Sequence, residues 1–218
     1  MLSNINITER IIIMKKILSL ILVFVAVMTL FCSCGDNKPG ESKPIEAAEY
    51  TYVILEDNTA KITKYNGTTN VVELDIPSSF EDVTVTVIGA EAFAGVQTIT
   101  DVNFPDTITK IEESAFKGSS IKKAFMHRSS ITDIGAYAFS ECKNLVQTDM
   151  PATLTTLGER AYHHCDNLKV ATFRGDTANI DKFAFDACPK VKLYVKDTMQ
   201  NVISFANTYN LELDIAEK

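Results

Sequence analysis

Residues 158–168 read GERAYHHCDNL, and His163-His164-Cys165 place two imidazoles and a thiol side by side. Such groups can build a zinc site, which takes three or four converging ligands, or a Cys/His pair in which the imidazole activates the thiol. Carboxylates are adjacent at Glu56-Asp57 and Glu112-Glu113. Acid–base work by a carboxylate pair needs surroundings that push the two pKa values apart, and neither pair is embedded in an apolar pocket pattern. The sequence has no GxSxG elbow, HExxH helix or phosphate loop. The Asp and Asn residues near Asp57 lack the ligand spacing and glycine of a calcium loop. What these side chains can do depends on the elements that place them.

Those elements repeat. Phe93, Phe116, Phe139, Tyr162 and Phe185 are spaced 23 residues apart, and so are Ile88, Ile111, Ile134, Leu157 and Ile180, and Ala92, Ala115, Ala138, Ala161 and Ala184. Six residues after each aromatic stands Ile99, Leu145, Leu168 or Val191; the second copy is one residue shorter there and supplies Ile121. Three apolar columns held in phase over five copies mean units too small to bury their own apolar faces, which must stack. A period in the twenties is that of a leucine-rich-repeat solenoid. Within a copy, Leu145 to Met150 alternates inward apolar or small residues with outward polar ones, as a short strand does. The Ala-Phe segment is expected as one helical or 3₁₀ turn, too short for a free-standing helix. Gly89, Gly135 and Gly158 follow the Ile column, but Glu112 and Asp181 replace them elsewhere, so a positive φ is permitted there and not required.

The pattern IGxxAFxxCxxLxxxxxP, read from Ile134-Gly135 to Pro151, resembles the BspA-like leucine-rich repeats of bacterial surface and secreted proteins over about residues 50–198. The resemblance implies a β-rich repeat solenoid with short parallel strands, and adhesion to host matrix proteins and other cells. Repeats are expected over 86–198, with caps at both ends, because an open solenoid exposes apolar edges and unpaired strands. Residues 49–85 are expected as a strand-rich N-terminal cap or degenerate repeat, with strands at Tyr50–Leu55, Ala60–Tyr65 and Val71–Ile76. At the other end, residues 199–218 are expected as a C-terminal cap with a short amphipathic helix built on Met199, Val202, Ile203, Phe205 and Ala206.

The columns reassign the candidate chemistry. Cys142, Cys165 and Cys188 occupy one column, 23 apart, where Val96 and Ser119 stand in the first two copies. That is a small buried slot, which cysteine fills as a hydrophobe. Stacked coils approach closely enough for a disulfide, but ladder side chains point in parallel, so free thiols are expected. His163 and His164 fall in the turn after the aromatic, a position open to small or polar residues. No catalytic residue, metal site or cofactor is expected. In the second copy, IKKAFMHR directs Ile121, Ala124 and Met126 inward and Lys122, Lys123 and Phe125 outward, with His127 and Arg128 just beyond. A basic and aromatic cluster of this kind is what a partner-binding hot spot looks like. The alternative register, shifted by one residue, buries Phe125.

The chain has 218 residues, 46% hydrophobic and 22% charged, with net charge −7. From Met14, the expected true start, Lys15-Lys16 precede a 15-residue apolar run, Ile17 to Phe31, which is short of the ~20 residues that span a bilayer. Residues 1–33 therefore read as a signal peptide. Phe31-Cys32-Ser33-Cys34-Gly35 resembles the lipobox of bacterial lipoproteins, with Phe31 where that motif usually has Leu. The resemblance implies lipidation of Cys34, an anchor in a bacterial membrane and display at the cell surface. Residues 34–48, polar with Gly and Pro, read as a flexible tether. Removing residues 1–33 leaves 18 basic and 27 acidic residues, an acidic balance that argues against nucleic acid as partner. The expected function is a membrane-tethered recognition or adhesion module, monomeric, binding host or microbial surface proteins or glycans. The alternative is an accessory or structural envelope lipoprotein, solute-binding or enzyme-associated, with no catalysis of its own.

Overall fold

The computed structural model describes residues 44–216. The expected signal peptide, Cys34 and the first part of the expected tether lie outside these residues. The 23-residue period becomes the coils of a β-solenoid. In the coil that begins at Ile131, the Ile column forms β10 (Asp133–Ile134), the Ala-Phe segment turns the first corner, and β11 (Gln147–Met150) runs back. Equivalent strands of successive coils pair in parallel, so two sheets run along the stack.

The first sheet has the order β1 (Ile45–Ala47), β2 (Tyr50–Ile54), β3 (Ala60–Tyr65), β6 (Val83–Ile88), β8 (Lys110–Ile111), β10, β12 (Thr156–Leu157) and β14 (Asn179–Ile180), with β5 (Ser79–Phe80) as a hairpin on β6. The second has the order β4 (Val71–Asp75), β7 (Ile99–Asn103), β9 (Lys123–Phe125), β11, β13 (Val170–Phe173), β15 (Lys192–Lys196) and β16 (Glu212–Ala216). The sequence pattern showed one strand per repeat. The second strand, on the Ile column, escaped it because two residues are too few to display alternation.

The corner is not a helical turn. Ala138, Ser140 and Cys142 donate their N–H groups to the carbonyls of Gly135, Tyr137 and Phe139, each three residues back. Tyr137 and Glu141, however, have φ of 57° and 60°, and a left-handed residue stops a helix from propagating. Both positions recur every 23 residues, at Glu91, Ser114 and Arg160 and at Gly95, Gly118, His164 and Ala187. Corner amides not used within a coil bond to the next one: Phe116 to the Ala138 carbonyl, Phe139 to Ala161 and Tyr162 to Ala184. Thus backbone donors are satisfied along the stack as well as within each turn. The glycines after the Ile column serve close approach, not positive φ. A Cβ on Gly135 would stand 2.8 Å from the backbone of Glu112, and one on Gly158 would stand 2.7 Å from that of Ala136. Where Glu112 takes the slot, its carboxylate accepts the Ala90 N–H at 3.0 Å and lies 3.7 Å from Lys61 Nζ.

Inside, the aromatic column is a continuous stack. Centroids of Tyr65, Phe93, Phe116, Phe139, Tyr162 and Phe185 follow one another at 5.3, 4.7, 5.1, 5.1 and 5.3 Å. Aromatic pairs add about 0.5–1.5 kcal/mol each beyond the area they bury. Tyr162 fits a fully buried rung because Thr148 Oγ1, 3.0 Å from its hydroxyl, satisfies it. The thiols of Cys142, Cys165 and Cys188 each donate to the carbonyl of the aromatic one coil back (Phe116, Phe139 and Tyr162) at 3.1, 3.1 and 2.9 Å. Each sulfur points at a carbonyl instead of at another sulfur, and all three are free.

The N-terminal strands lie where the sequence indicates them, and Tyr50, Tyr52, Tyr65 and Phe80 pack together over that end. β1 is the correction: Ile45–Ala47, within the stretch read as tether, pair antiparallel with Tyr50–Tyr52. Three residues of mixed polarity carry too little pattern to be recognised. At the far end α1 (Gln200–Thr208) buries Val202, Phe205 and Ala206, and the Phe205 ring closes the stack 6.4 Å from Phe185. β16, not anticipated, then adds a further parallel strand to β15.

Candidate functional site

The outer face of the second sheet carries the IKKAFMHR cluster. Ile121, Ala124 and Met126 are wholly buried, while Phe125 is half-exposed and points out. The one-residue deficit before β9 therefore does not flip the strand. It is absorbed in the shorter turn between Phe116 and Ile121 and returned by one extra residue between Met126 and Ile131. That extra residue lengthens the loop holding His127 and Arg128, which stand exposed beyond the strand end. Phe125 pairs across the sheet with Asn103 on one side and Asp149 on the other.

Lys123 Nζ lies 3.6 Å from Asp101 and 5.9 Å from the Phe125 ring centroid. His127 Nδ1 is 3.4 Å from Asp149. Asp149 sits in the outward row yet is only 5% exposed, because Arg174 lies over it and donates through Nε and Nη2 at 2.8 Å each. Lys122 is exposed, and its N–H donates to the Thr100 carbonyl. An open groove of about 800 Å³ is lined by Glu73 and Asp75 from β4, by Phe104, Pro105 and Asp106 from the end of β7 and its following loop, and by Phe125, His127 and Arg128 from the coil after that. Asn103 Nδ2 donates to both Glu73 and Asp75 at 2.7 Å and so draws the two carboxylates together. The structure thus gathers three of the five predicted residues around a groove and sets Lys123 beside them. Lys122 does not line it. The carboxylates lining the groove were missed, because the registers that bring Asp75 and Asn103 alongside Phe125 are set between coils.

The other candidates have structural settings. His163 is partly buried with Nδ1 3.2 Å from Asp186, without the alignment of a hydrogen bond, and His164 is exposed, 3.7 Å from Asp166. The two rings meet edge-on at 4.2 Å. Among the described residues no three His, Cys, Asp or Glu side chains converge to hold a metal. Burial pushes the Cys142 thiol up to about 11 and raises Cys165 as well. Nucleophilic attack requires the thiolate, which these positions disfavour. Asp57 closes its own turn by accepting the Thr59 N–H and hydroxyl at 3.0 and 2.7 Å. A second exposed aromatic, Phe183, lies between Arg160 and Lys182 at 5.0 and 4.7 Å. No helix among the described residues is long and apolar enough to cross a membrane.

The same architecture occurs in solved structures. The T. pallidum leucine rich repeat protein TpLRR superposes with a TM-score of 0.56 at 20% identity, covering 70% of this chain and 71% of that one. The pneumococcal vaccine antigen PcpA gives 0.58 at 23% identity, over 71% of this chain and 44% of its own length. No curated protein matches significantly. Residues 61–192 match the BspA type leucine rich repeat region in six copies, one more than the columns counted, since β3 and the strands after it complete a coil. The chain belongs to the BspA-type leucine-rich-repeat family.

Proposed function

We propose that this protein is a recognition or adhesion module, displayed at a bacterial surface or envelope and tethered there by lipid on Cys34. Proteins with BspA-type repeats are typically surface-exposed bacterial proteins. The observation that carries the reading is the unpartnered outer face of the second sheet, where Phe125, His127 and Arg128 face a groove in a rigid parallel ladder. A solenoid face of this kind suits a protein or glycan surface better than a small substrate, which needs an enclosed pocket with converging polar groups. The reading assigns the chain no catalysis. Seven strands at ~4.8 Å spacing make a face about 30 Å long, so single contacts are weak and many copies on one membrane supply avidity.

Two experiments test it. Cells fed radioactive fatty acid label the protein, and Cys34→Ala removes the label; equal labelling of the variant rules out the anchor. Immobilised full exported chain retains components from a panel of host and microbial surface proteins and glycans, and Phe125→Ala weakens that retention without lowering the melting temperature by many degrees. Failure to retain anything across a broad panel refutes adhesion and leaves the accessory or structural envelope role.

A further inference from the structure

We propose that the groove between β4 and the loop after β9 docks an extended segment of a partner protein that presents a basic side chain beside an acidic one. The inference rests on the recognition reading above and selects protein over glycan as the ligand class. It starts from how charge is balanced on the outer face of the second sheet. Asp101 has Lys123, Asp149 has Arg174 and His127, and Glu212 and Asp214 share Lys192 at 3.3 and 3.1 Å. Glu73, Asp75 and Asp106 have no cation among the described residues. These uncompensated carboxylates of the face all line the one groove. Arg128, in the loop after β9 and likewise without an ion pair or side-chain hydrogen bond among the described residues, is the one uncompensated cation in the lining.

Asn103 holds Glu73 and Asp75 within 2.7 Å of a single nitrogen, so both carboxylates can engage one guanidinium or ammonium group. Phe125, across the strand pair from Asn103, offers that cation an aromatic face. Pro105 and Phe125 supply apolar surface in the groove, with Ile76 and Phe104 buried beneath it. A neutral glycan can hydrogen-bond to the carboxylates and to Arg128 through its hydroxyls but neutralises neither charge, whereas an oppositely charged pair gains the stronger charge-assisted contacts. A peptide with a basic residue toward β4 and an acidic residue toward Arg128 satisfies both. The groove volume of about 800 Å³ lies within the range of ligand clefts and accommodates a few side chains, not a folded domain.

The test is to pan random peptides displayed on phage against the full exported chain, beside a neutral glycan array. Recovered peptides are expected to be enriched in Arg or Lys accompanied by Asp or Glu. A recovered peptide should lose roughly tenfold or more in affinity to the Glu73→Gln/Asp75→Asn double variant and to Phe125→Ala. It should bind normally to Glu212→Gln/Asp214→Asn, which removes the same charge from the far end of the same face. Unchanged melting temperatures of the two double variants establish that folding is intact. An equal loss in both double variants would mean net charge alone attracts the peptides, and overturns the groove. Glycans captured in a Glu73- and Asp75-dependent manner would overturn the choice of ligand class. If no peptide binds but the surface panel retains the chain, the groove inference fails and the recognition reading stands; if neither binds, both fail.

Discussion

Raising the pH should loosen this protein through a group that never meets solvent. Cys142 is wholly buried, and burial pushes its thiol from 9.0 up to about 11. In the unfolded chain the same thiol ionises from about pH 9, so between pH 9 and 11 the unfolded state gives up its proton while the native state keeps it. A raised native pKa of this sort contributes stability that is complete below the unfolded value and disappears as pH climbs through the native one. At ~1.4 kcal/mol per unit, the two-unit difference amounts to roughly 1 kcal/mol lost by pH 10 and about 3 kcal/mol once the native thiol ionises. Cys165 and Tyr162 are raised by burial as well and act in the same direction. The assay is urea unfolding of residues 35–218 at intervals from pH 7.5 to 10.5, comparing the unaltered sequence with Cys142→Ala. Surface lysines titrate equally in both, so the difference in slope isolates the thiol, whatever Cys142→Ala costs at neutral pH. If both proteins lose stability in parallel above pH 9, the thiol is not held protonated by the fold and the reasoning fails.

Phe139→Ala removes a central rung of the aromatic stack and should cost about 3–5 kcal/mol, read as a large drop in urea midpoint; a loss below 1 kcal/mol would mean the column is not the core. Tyr162→Phe leaves the buried Thr148 hydroxyl without its partner and should cost about 1–3 kcal/mol, most of it recovered by adding Thr148→Val. Arg174→Met exposes Asp149 to burial with only His127 beside it and should destabilise by about 1–3 kcal/mol, less when combined with Asp149→Asn. Additive effects in that last pair, measured by a double-mutant cycle, would show that the contact contributes nothing.

The columns made the solenoid legible because stacking forces every coil to reuse the same inward positions. Phe93 to Phe185, Ala92 to Ala184 and Cys142 to Cys188 are each in the core, whereas for Phe125 the phase allowed two registers, outward or buried, and the structure takes the outward one. Features decided by contact between coils were not legible. Gly135 and Gly158 are small because the preceding backbone passes within 3 Å of where a side chain would begin, and nothing in a single copy announces that. Asp149 alternates like a solvent-facing residue, yet Arg174, 25 residues later, covers it. The carboxylates of the groove were invisible for a related reason. Glu73 and Asp75 come from one coil and Asp106 from the next, and the β4–β7 and β7–β9 registers together bring them beside Phe125.

The two outermost strands of the second sheet also bear on what happens when copies meet at high concentration. A parallel ladder is an invitation for another molecule to continue it, β4 of one copy adding to β16 of the next. In the register of the sheet that addition would set Glu73 against Glu212 and Asp75 against Asp214. Like charges facing across one strand spacing oppose the addition by about 1 kcal/mol per pair even in water, and Lys192 offsets this on one side only. The stack thus carries its own stop signal at either end. Crowded copies are therefore expected to stay separate, with their faces free, instead of fusing into a filament.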